Sequence, residues 1–216
     1  MKKIDILFEN DEILVINKPS GVAVQGGKGI SHPLDKELPL QLGYPIFLVH
    51  RLDMDTCGIM IVAKSPLAAA LWTKKIGSKE VKKEYSAICI GTLEKKEGTI
   101  REDIIQHGEK KTALTSYKVI EEKRVVIPAT EDKEEQSITL SKINLVLETG
   151  RMHQIRIHLA SQGCPIAGDD KHGNFKLNKI VRRIGIKKLQ LEAFRLSVPL
   201  DGGLKVFELS KSELEF

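Results

Sequence analysis

The chain predicts an α+β fold with a mixed, mostly antiparallel β-sheet and a few flanking helices. Three observations carry that expectation. Eight short runs rich in apolar and β-branched residues, each closed by Gly, Pro, Asn, Asp or charged turns, read as strands. Only three segments carry helix signals. Strands and helices alternate without a regular βαβ rhythm, and no internal repeat or low-complexity segment interrupts them.

Ile4–Phe8 and Ile13–Ile16 are the first two strands, and Pro33–Leu42 is a short helix. Ile59–Ala63 is a third strand. Pro66–Ile76 is a helix: Ser65 is placed to cap it, Pro66 takes the first helical position, and Gly77 follows its end. Tyr85–Ile90, Leu114–Ile120 and Ile143–Leu147 are strands. Lys123–Ser141, polar and charged, reads as a surface excursion within the domain. Met152–Gln162 is ambiguous. Ile155 and Leu159 are spaced for a helix, whereas Ile155, Ile157 and Leu159 also alternate as in a strand. Gly163 followed by Pro165 decides for a helix that stops there. Gln190–Val198 and Lys205–Phe207 complete the strands.

At 216 residues, 41% of them hydrophobic, the chain is long enough to bury a core without staples. Three cysteines, Cys57, Cys89 and Cys164, form no CxxC pair, which disfavours a disulfide framework and a structural zinc site and fits a reduced, cytoplasmic setting. No apolar run approaches the roughly 18–20 residues of a membrane span. The first residues, MKKIDILFENDE, turn acidic before any apolar core of useful length, unlike a signal peptide. Net charge is +5. It is unevenly spread: Lys171, Lys176, Lys179, Arg182, Arg183, Lys187 and Lys188 fall in one stretch without a single Asp or Glu. Acid gathers elsewhere, at Glu131, Asp132, Glu134 and Glu135. Segregation of this kind is a nucleic-acid footprint, and a solvated basic surface is its plainer alternative. Aromatics are too sparse, at 5%, for an extended stacking platform.

Two stretches stand out chemically. His50-Arg51-Leu52-Asp53-Met54-Asp55-Thr56-Cys57-Gly58 lies between an apolar run and a strand, so its loop can present Asp53 rigidly to a cleft. Asp53 or Asp55 could equally well cap a turn. A calcium loop fails, because the fifth position is Cys57 and the twelfth is Lys64 where a bidentate Glu is required. Thr149-Gly150-Arg151-Met152-His153-Gln154-Ile155-Arg156 is the second stretch. Its His153 and His158 are five apart, not the four of a metal-binding helix, and His153 reads as a structural hydrogen-bonder. Arg151 could pair with a carboxylate, hold a phosphate or be solvated. Neither a P-loop, a GxGxxG fingerprint nor a GxSxG elbow is present. Cys57, with nothing to activate it, reads as packing.

Together these residues resemble the RluA-type pseudouridine synthases. Lys18-Pro19-Ser20-Gly21 is similar to that family's NKPSG turn, and His50–Gly58 to its HRLDxxTSG signature. Lys83-Glu84-Tyr85-Ser86-Ala87 is similar to its K-x-Y-x-A strand, and Thr149–Leu159 with Gly163–Asp169 to its TGRxHQIRxHL…GxPIxGD block. Cys57 stands where the family usually has Ser, His172 where it has an aromatic, and Phe194 where it commonly has His.

The resemblance implies a pseudouridine synthase fold, a bent sheet with a central catalytic cleft, as one catalytic domain over 1–216 without a separate N-terminal RNA-binding domain. It implies isomerisation of uridine in RNA to pseudouridine, with no metal or other cofactor. Asp53 is the catalytic carboxylate by motif match, acting ionised as nucleophile or base. Arg151 is the partner that would hold it charged, and Tyr85 would stack on the flipped uracil, its plainer alternative being a core Tyr in a strand. Arg51 would fill the gap left by the base or hold phosphate. Lys171, Lys176, Lys179, Arg182 and Arg183 are the candidate phosphate contacts. Large-subunit ribosomal RNA is the expected target ahead of transfer RNA, and the protein is expected to be a cytoplasmic monomer. A non-catalytic RNA-binding module on the same fold is the rival class. A metal-dependent nuclease lacks the clustered carboxylates it would need.

Overall fold

A computed structural model describes residues 3–106, 108–129, 134–214 and 216. In chain order its elements are β1 (Asp5–Glu9), β2 (Ile13–Lys18), α1 (Leu34–Leu42), β3 (Phe47–Leu48), β4 (Cys57–Ala63), α2 (Pro66–Gly77), β5 (Lys82–Ile90), β6 (Glu97–Gln106), β7 (Glu109–Ile127), β8 (Gln136–Leu147), α3 (Gln154–Ser161), α4 (Phe175–Val181), β9 (Leu191–Leu200) and β10 (Gly203–Glu208). They form two compact units, one of Met1–Lys83 with Ala193–Ser212, the other of Glu84–Glu192 with Glu213–Phe216. No helix among the described residues is long and apolar enough to cross a membrane.

In the first unit the strand order is β1-β2-β4-β9, with β3 paired to β4 and β10 to β9. β2 runs antiparallel to both β1 and β4, placing Ile13 opposite Ala63 and Lys18 opposite Gly58. β4 is buried along its whole length and β2 almost so, which explains their unbroken apolar sequences: neither has a solvent face to mark by alternation. α2 starts as its sequence demands. Ser65 Oγ accepts from the Ala68 N–H at 3.1 Å, and Pro66 sits where a missing N–H costs nothing. Its inner face buries Ala68 and Trp72 against Ile13, Val15, Ile59, Ile61, Leu196 and Val198. Burying each large side chain of this cluster contributes roughly 1.5–3 kcal/mol. Trp72 keeps its polar atom satisfied by donating from Nε1 to Glu12 Oε2 at 2.9 Å.

The second unit is built on the order β5-β8-β7-β6, all antiparallel. β7 and β8 make a long hairpin with Thr115 opposite Leu147 at its base and Ile127 opposite Gln136 near its tip, and a bulge between Val119 and Glu121. α3 ends in a Schellman turn. Gly163, at φ +70°, donates to the Ala160 carbonyl and Cys164 to that of Leu159. The chain then returns along β5, Ile90 donating to Pro165 and Ala167 to Ile88. Ile88, Ile90, Leu140, Ala167, Val181 and Ile186 form the core on this side. All three cysteines are buried thiols outside any disulfide.

Several elements differ from expectation. Lys123–Ser141 is, where described, mostly the outer part of the β7–β8 hairpin and not an excursion; residues 130–133 lie outside the described residues. Val125 and Ile127 flank the exposed Val126, Ile138 and Leu140 flank Thr139, and all four turn toward the core, a period-2 signal masked by the exposed Val126 and by the charged run Glu121–Arg124 before it. β6 was not foreseen, because only Ile100 and Ile104 of this strand at the end of the order are buried apolar residues, a spacing of four in place of two. α4 was read only as charge. α3 starts at Gln154 rather than Met152, since His153 takes a left-handed conformation at φ +56°.

Candidate functional site

In the first unit, Asp53 and Arg51 lie on the loop between β3 and β4, Asp53 half-buried and Arg51 exposed. The Thr56 N–H donates to the Asp53 carbonyl at 3.2 Å, closing a turn. The loop is then sutured to the Lys18–Gly21 turn. The Lys18 ammonium, fully buried, donates to the carbonyls of Met54 at 3.0 Å, Val22 at 2.8 Å and Pro19 at 2.9 Å. The Gly21 N–H reaches the same Met54 carbonyl at 3.0 Å, and Ser20 Oγ donates to the Asp55 carbonyl at 2.9 Å. One ammonium and one hydroxyl thus fix the backbone that follows Asp53. Gly58 closes the stretch at φ +112°, with the Ala193 backbone so near that a Cβ there would lie 2.3 Å from its carbonyl oxygen. His50 accepts from the Ile61 N–H through Nε2 at 3.0 Å. Burial and the Lys83 ammonium push its pKa down to about 3, so it is neutral. Burial also lowers that of Lys83.

In the second unit, Tyr85 is buried on β5 opposite Leu145. Arg151 lies on the turn before α3 and donates from Nε to the Thr112 carbonyl at 3.3 Å. Gln154 sets that turn. Its Oε1 accepts from the Arg151 N–H at 3.0 Å and from Thr149 Oγ1 at 2.7 Å, while its Nε2 donates to the Leu114 carbonyl at 2.8 Å and Thr115 Oγ1 at 2.9 Å. The chain of bonds continues. Thr115 Oγ1 meets His158 Nδ1 at 2.9 Å, and His158 Nε2 meets the Glu102 carbonyl at 3.2 Å. A carbonyl can only accept, so Nε2 carries the His158 proton and Nδ1 accepts from Thr115. The i,i+4 spacing of Gln154 and His158 turns both toward β7 from one face of α3.

Two further pairs brace the same turn. Arg156 holds Asp169 bidentately, Nε to Oδ2 at 2.8 Å and Nη2 to Oδ1 at 2.7 Å, both residues buried. Burial alone would raise the Asp169 carboxyl. The Arg156 guanidinium and the N–H groups of His172 and Lys171 overcome it and hold the carboxyl below its ordinary value. His153 Nδ1 lies 2.7 Å from His172 Nε2 with the rings edge to face. The structure therefore gives His153 the hydrogen-bonding place expected of it.

The basic stretch divides by use. Lys176 and Lys179 are exposed on α4, and Lys171 is exposed on the preceding turn. Arg182 donates from Nη2 to both carboxylate oxygens of Asp170 at 2.7 Å, and Arg183 donates to the Pro128 carbonyl. Among the described residues no three His, Cys, Asp or Glu side chains are grouped to hold a metal. Asp53 and Arg51 thus belong to the first unit, and Tyr85, Arg151 and the basic stretch to the second. Lys18, Gln154, His158 and the Arg156–Asp169 pair had no role assigned from sequence. Of these, only the Gln154/His158 spacing was a readable signal.

The family model described as RNA pseudouridylate synthase matches residues 12–161. Ribosomal large subunit pseudouridine synthase C of Haemophilus influenzae is 34% identical over 213 residues, covering 95% of this chain and 64% of the relative. The protein of that name in Rickettsia prowazekii is 36% identical over 173 residues, 78% of this chain and 56% of its own. Ribosomal large subunit pseudouridine synthase D of Salmonella typhimurium is 36% identical over 188 residues, 79% of this chain and 52% of its own. The chain thus spans between half and two thirds of the length of these three curated relatives. Among solved structures, human RNA pseudouridylate synthase domain containing 1 shares the fold with a TM-score of 0.76 at 23% identity, covering 97% of this chain and 84% of that one.

Proposed function

The chain belongs to the RNA pseudouridylate synthase family, and from that premise we propose that it converts uridine in RNA to pseudouridine. Large-subunit ribosomal RNA is the proposed target, in a cytoplasmic setting, with the protein acting as a monomer. The observation that carries the reading is that the family match over 12–161 contains Asp53, Tyr85 and Arg151 together. In the proposed reaction the bond from ribose C1′ to uracil N1 breaks, the ring turns, and C1′ bonds to C5, whose proton passes to water while N1 takes up a proton in its place. Atoms balance without an oxidant or a second substrate. Asp53 acts in its ionised form as nucleophile or base. The sutures from Lys18 and Ser20 support this role, because a reacting carboxylate must hold its geometry closely. Arg151 is the proposed catalytic arginine, with Gln154 setting the backbone from which that side chain starts. Tyr85 stacks on the extruded base, whose release from its own stack costs a few kcal/mol. Arg51, exposed next to Asp53, and the lysines of α4 contact the RNA backbone.

The test is tritium release. Unmodified ribosomal and transfer RNA labelled at uracil C5 are incubated with the protein and with D53N. Label entering water from ribosomal RNA with the wild type, and none with D53N, is expected. RNA binding without release from either pool would overturn the catalytic reading in favour of a binding module. Release from transfer RNA alone would overturn the target.

A further inference from the structure

α4 presents an aromatic ring on the face where its sequence should be polar. Leu177 and Val181 pack into the core of the second unit. Asn178 is buried and accepts from the Gly168 N–H at 3.1 Å while donating to the Asp169 carbonyl at 2.9 Å. Asn174 caps the start, its Oδ1 accepting from Lys176 N and Leu177 N at 3.0 and 3.2 Å. With that inner side pinned, the opposite side carries Phe175, Lys176 and Lys179. Phe175 is 64% exposed. Its ring is not loose, because the Lys179 ammonium sits 4.5 Å from the ring centroid, one helical turn on.

Resting on the reading of the protein as an RNA-modifying enzyme, we infer that Phe175 is a stacking platform for an unpaired RNA base, with Lys176 and Lys179 neutralising the adjacent phosphates. A buried partner side chain would explain an exposed Phe equally well in a neutral setting. This setting is not neutral: no Asp or Glu falls between Lys171 and Lys188, so the surround is matched to a polyanion. A ring with one face on an ammonium and the rest open to solvent is built to take a second flat partner. Every base offers a π-face, so the platform would grip RNA without reading sequence. Arg182 and Arg183, engaged with Asp170 and the Pro128 carbonyl, then act to hold this platform and not as its principal phosphate partners.

The experiment uses the full chain and a short labelled single-stranded RNA, with dissociation constants measured over a range of salt, beside tritium release. F175A is expected to weaken binding about tenfold, within the range for one stacked base, with the salt slope and thermal midpoint unchanged. F175W should restore it. K176A/K179A should flatten the slope of log affinity on log salt by about 1.4, roughly 0.7 for each single-strand phosphate that is no longer neutralised. Wild-type release with F175A binding as tightly as wild type overturns this inference and leaves the proposed function standing. Absence of both binding and release in the wild type overturns the function itself.

Discussion

Replacing Gly58 by Ala isolates how tightly the Asp53 loop is delivered into β4. Two costs arise at once. At φ +112° an L-residue is outside its allowed regions, a strain of roughly 1–3 kcal/mol. The added Cβ would also lie 2.3 Å from the Ala193 carbonyl oxygen, 2.7 Å from its nitrogen and 2.8 Å from its carbonyl carbon. All are backbone atoms of β9, so relief requires the strand to retreat by about 1 Å, and overpacking of this kind costs roughly 1–3 kcal/mol more. The total, about 2–6 kcal/mol, is a large part of an ordinary domain's stability of roughly 5–15 kcal/mol. Gly21 supplies the internal control. It has φ +83° but nothing within 4 Å of a built Cβ, so G21A should cost only the backbone strain, about 1–2 kcal/mol. Urea unfolding followed by far-ultraviolet circular dichroism compares the two, with equal m-values marking a pure change in stability. G58A must lose at least about 1 kcal/mol more than G21A, the lower bound of the overpacking cost, and a G58A chain that fails to fold while G21A folds is the upper end of the same result. Equal losses would refute the close approach of β9.

Further expectations follow from the polar interactions. K18M removes the donor shared by three carbonyls and should cost about 3–5 kcal/mol, measured by the same unfolding curves; a loss under about 1 kcal/mol would mean that water replaces the ammonium. Q154L strands the Arg151 N–H and takes one of two donors from the Leu114 carbonyl, which keeps the Glu148 N–H, for about 1–3 kcal/mol, and should slow tritium release even at temperatures where the variant is folded. Asp169 is held below its ordinary range, so its stabilisation is complete above the unfolded value near ~3.9 and is lost as pH falls through the folded value. D169N should therefore lose less stability than wild type on acidification, and parallel curves would contradict the pairing with Arg156. His50, pushed down to about 3 by burial and Lys83, should show no nuclear magnetic resonance titration between about pH 8 and 5; an inflection near ~6.5 would place it in solvent.

Legibility tracked locality. α2 was readable to within a residue because Ser65, Pro66 and Gly77 act on their own neighbours. The end of α3 was readable for the same reason, through Gly163 and Pro165. Family membership was legible from four ordered motifs, and the match over 12–161 bears it out. What stayed hidden depends on partners distant in sequence. Nothing beside Lys18 announces that its ammonium will be spent on a carbonyl 36 residues away. Nor does anything beside Gln154 show that it will bond Leu114, 40 residues back. The hairpin hid differently: Val125, Ile127, Ile138 and Leu140 turn inward, but the exposed run Glu121–Arg124 that precedes them mimics a loop, and the exposed Val126 blurs the alternation.

The two compact units are nested in the chain, and that has a consequence for synthesis at the ribosome. The first unit begins with Met1–Lys83 but receives its remaining strands, most of β9 and all of β10, only from Ala193 onward. Some 110 residues must be made in between. Over that interval β4 lacks its β9 neighbour, and the apolar faces of Ile59 and Ile61 wait without Leu196 and Val198. The second unit, whose four strands are consecutive, can gather as it emerges. Its early folding would shorten the effective loop that the first unit has to close. A nascent chain arrested before Ala193 is therefore the form most exposed to chaperones and to aggregation, and a gene fragment cut at either boundary carries no complete first unit to inherit.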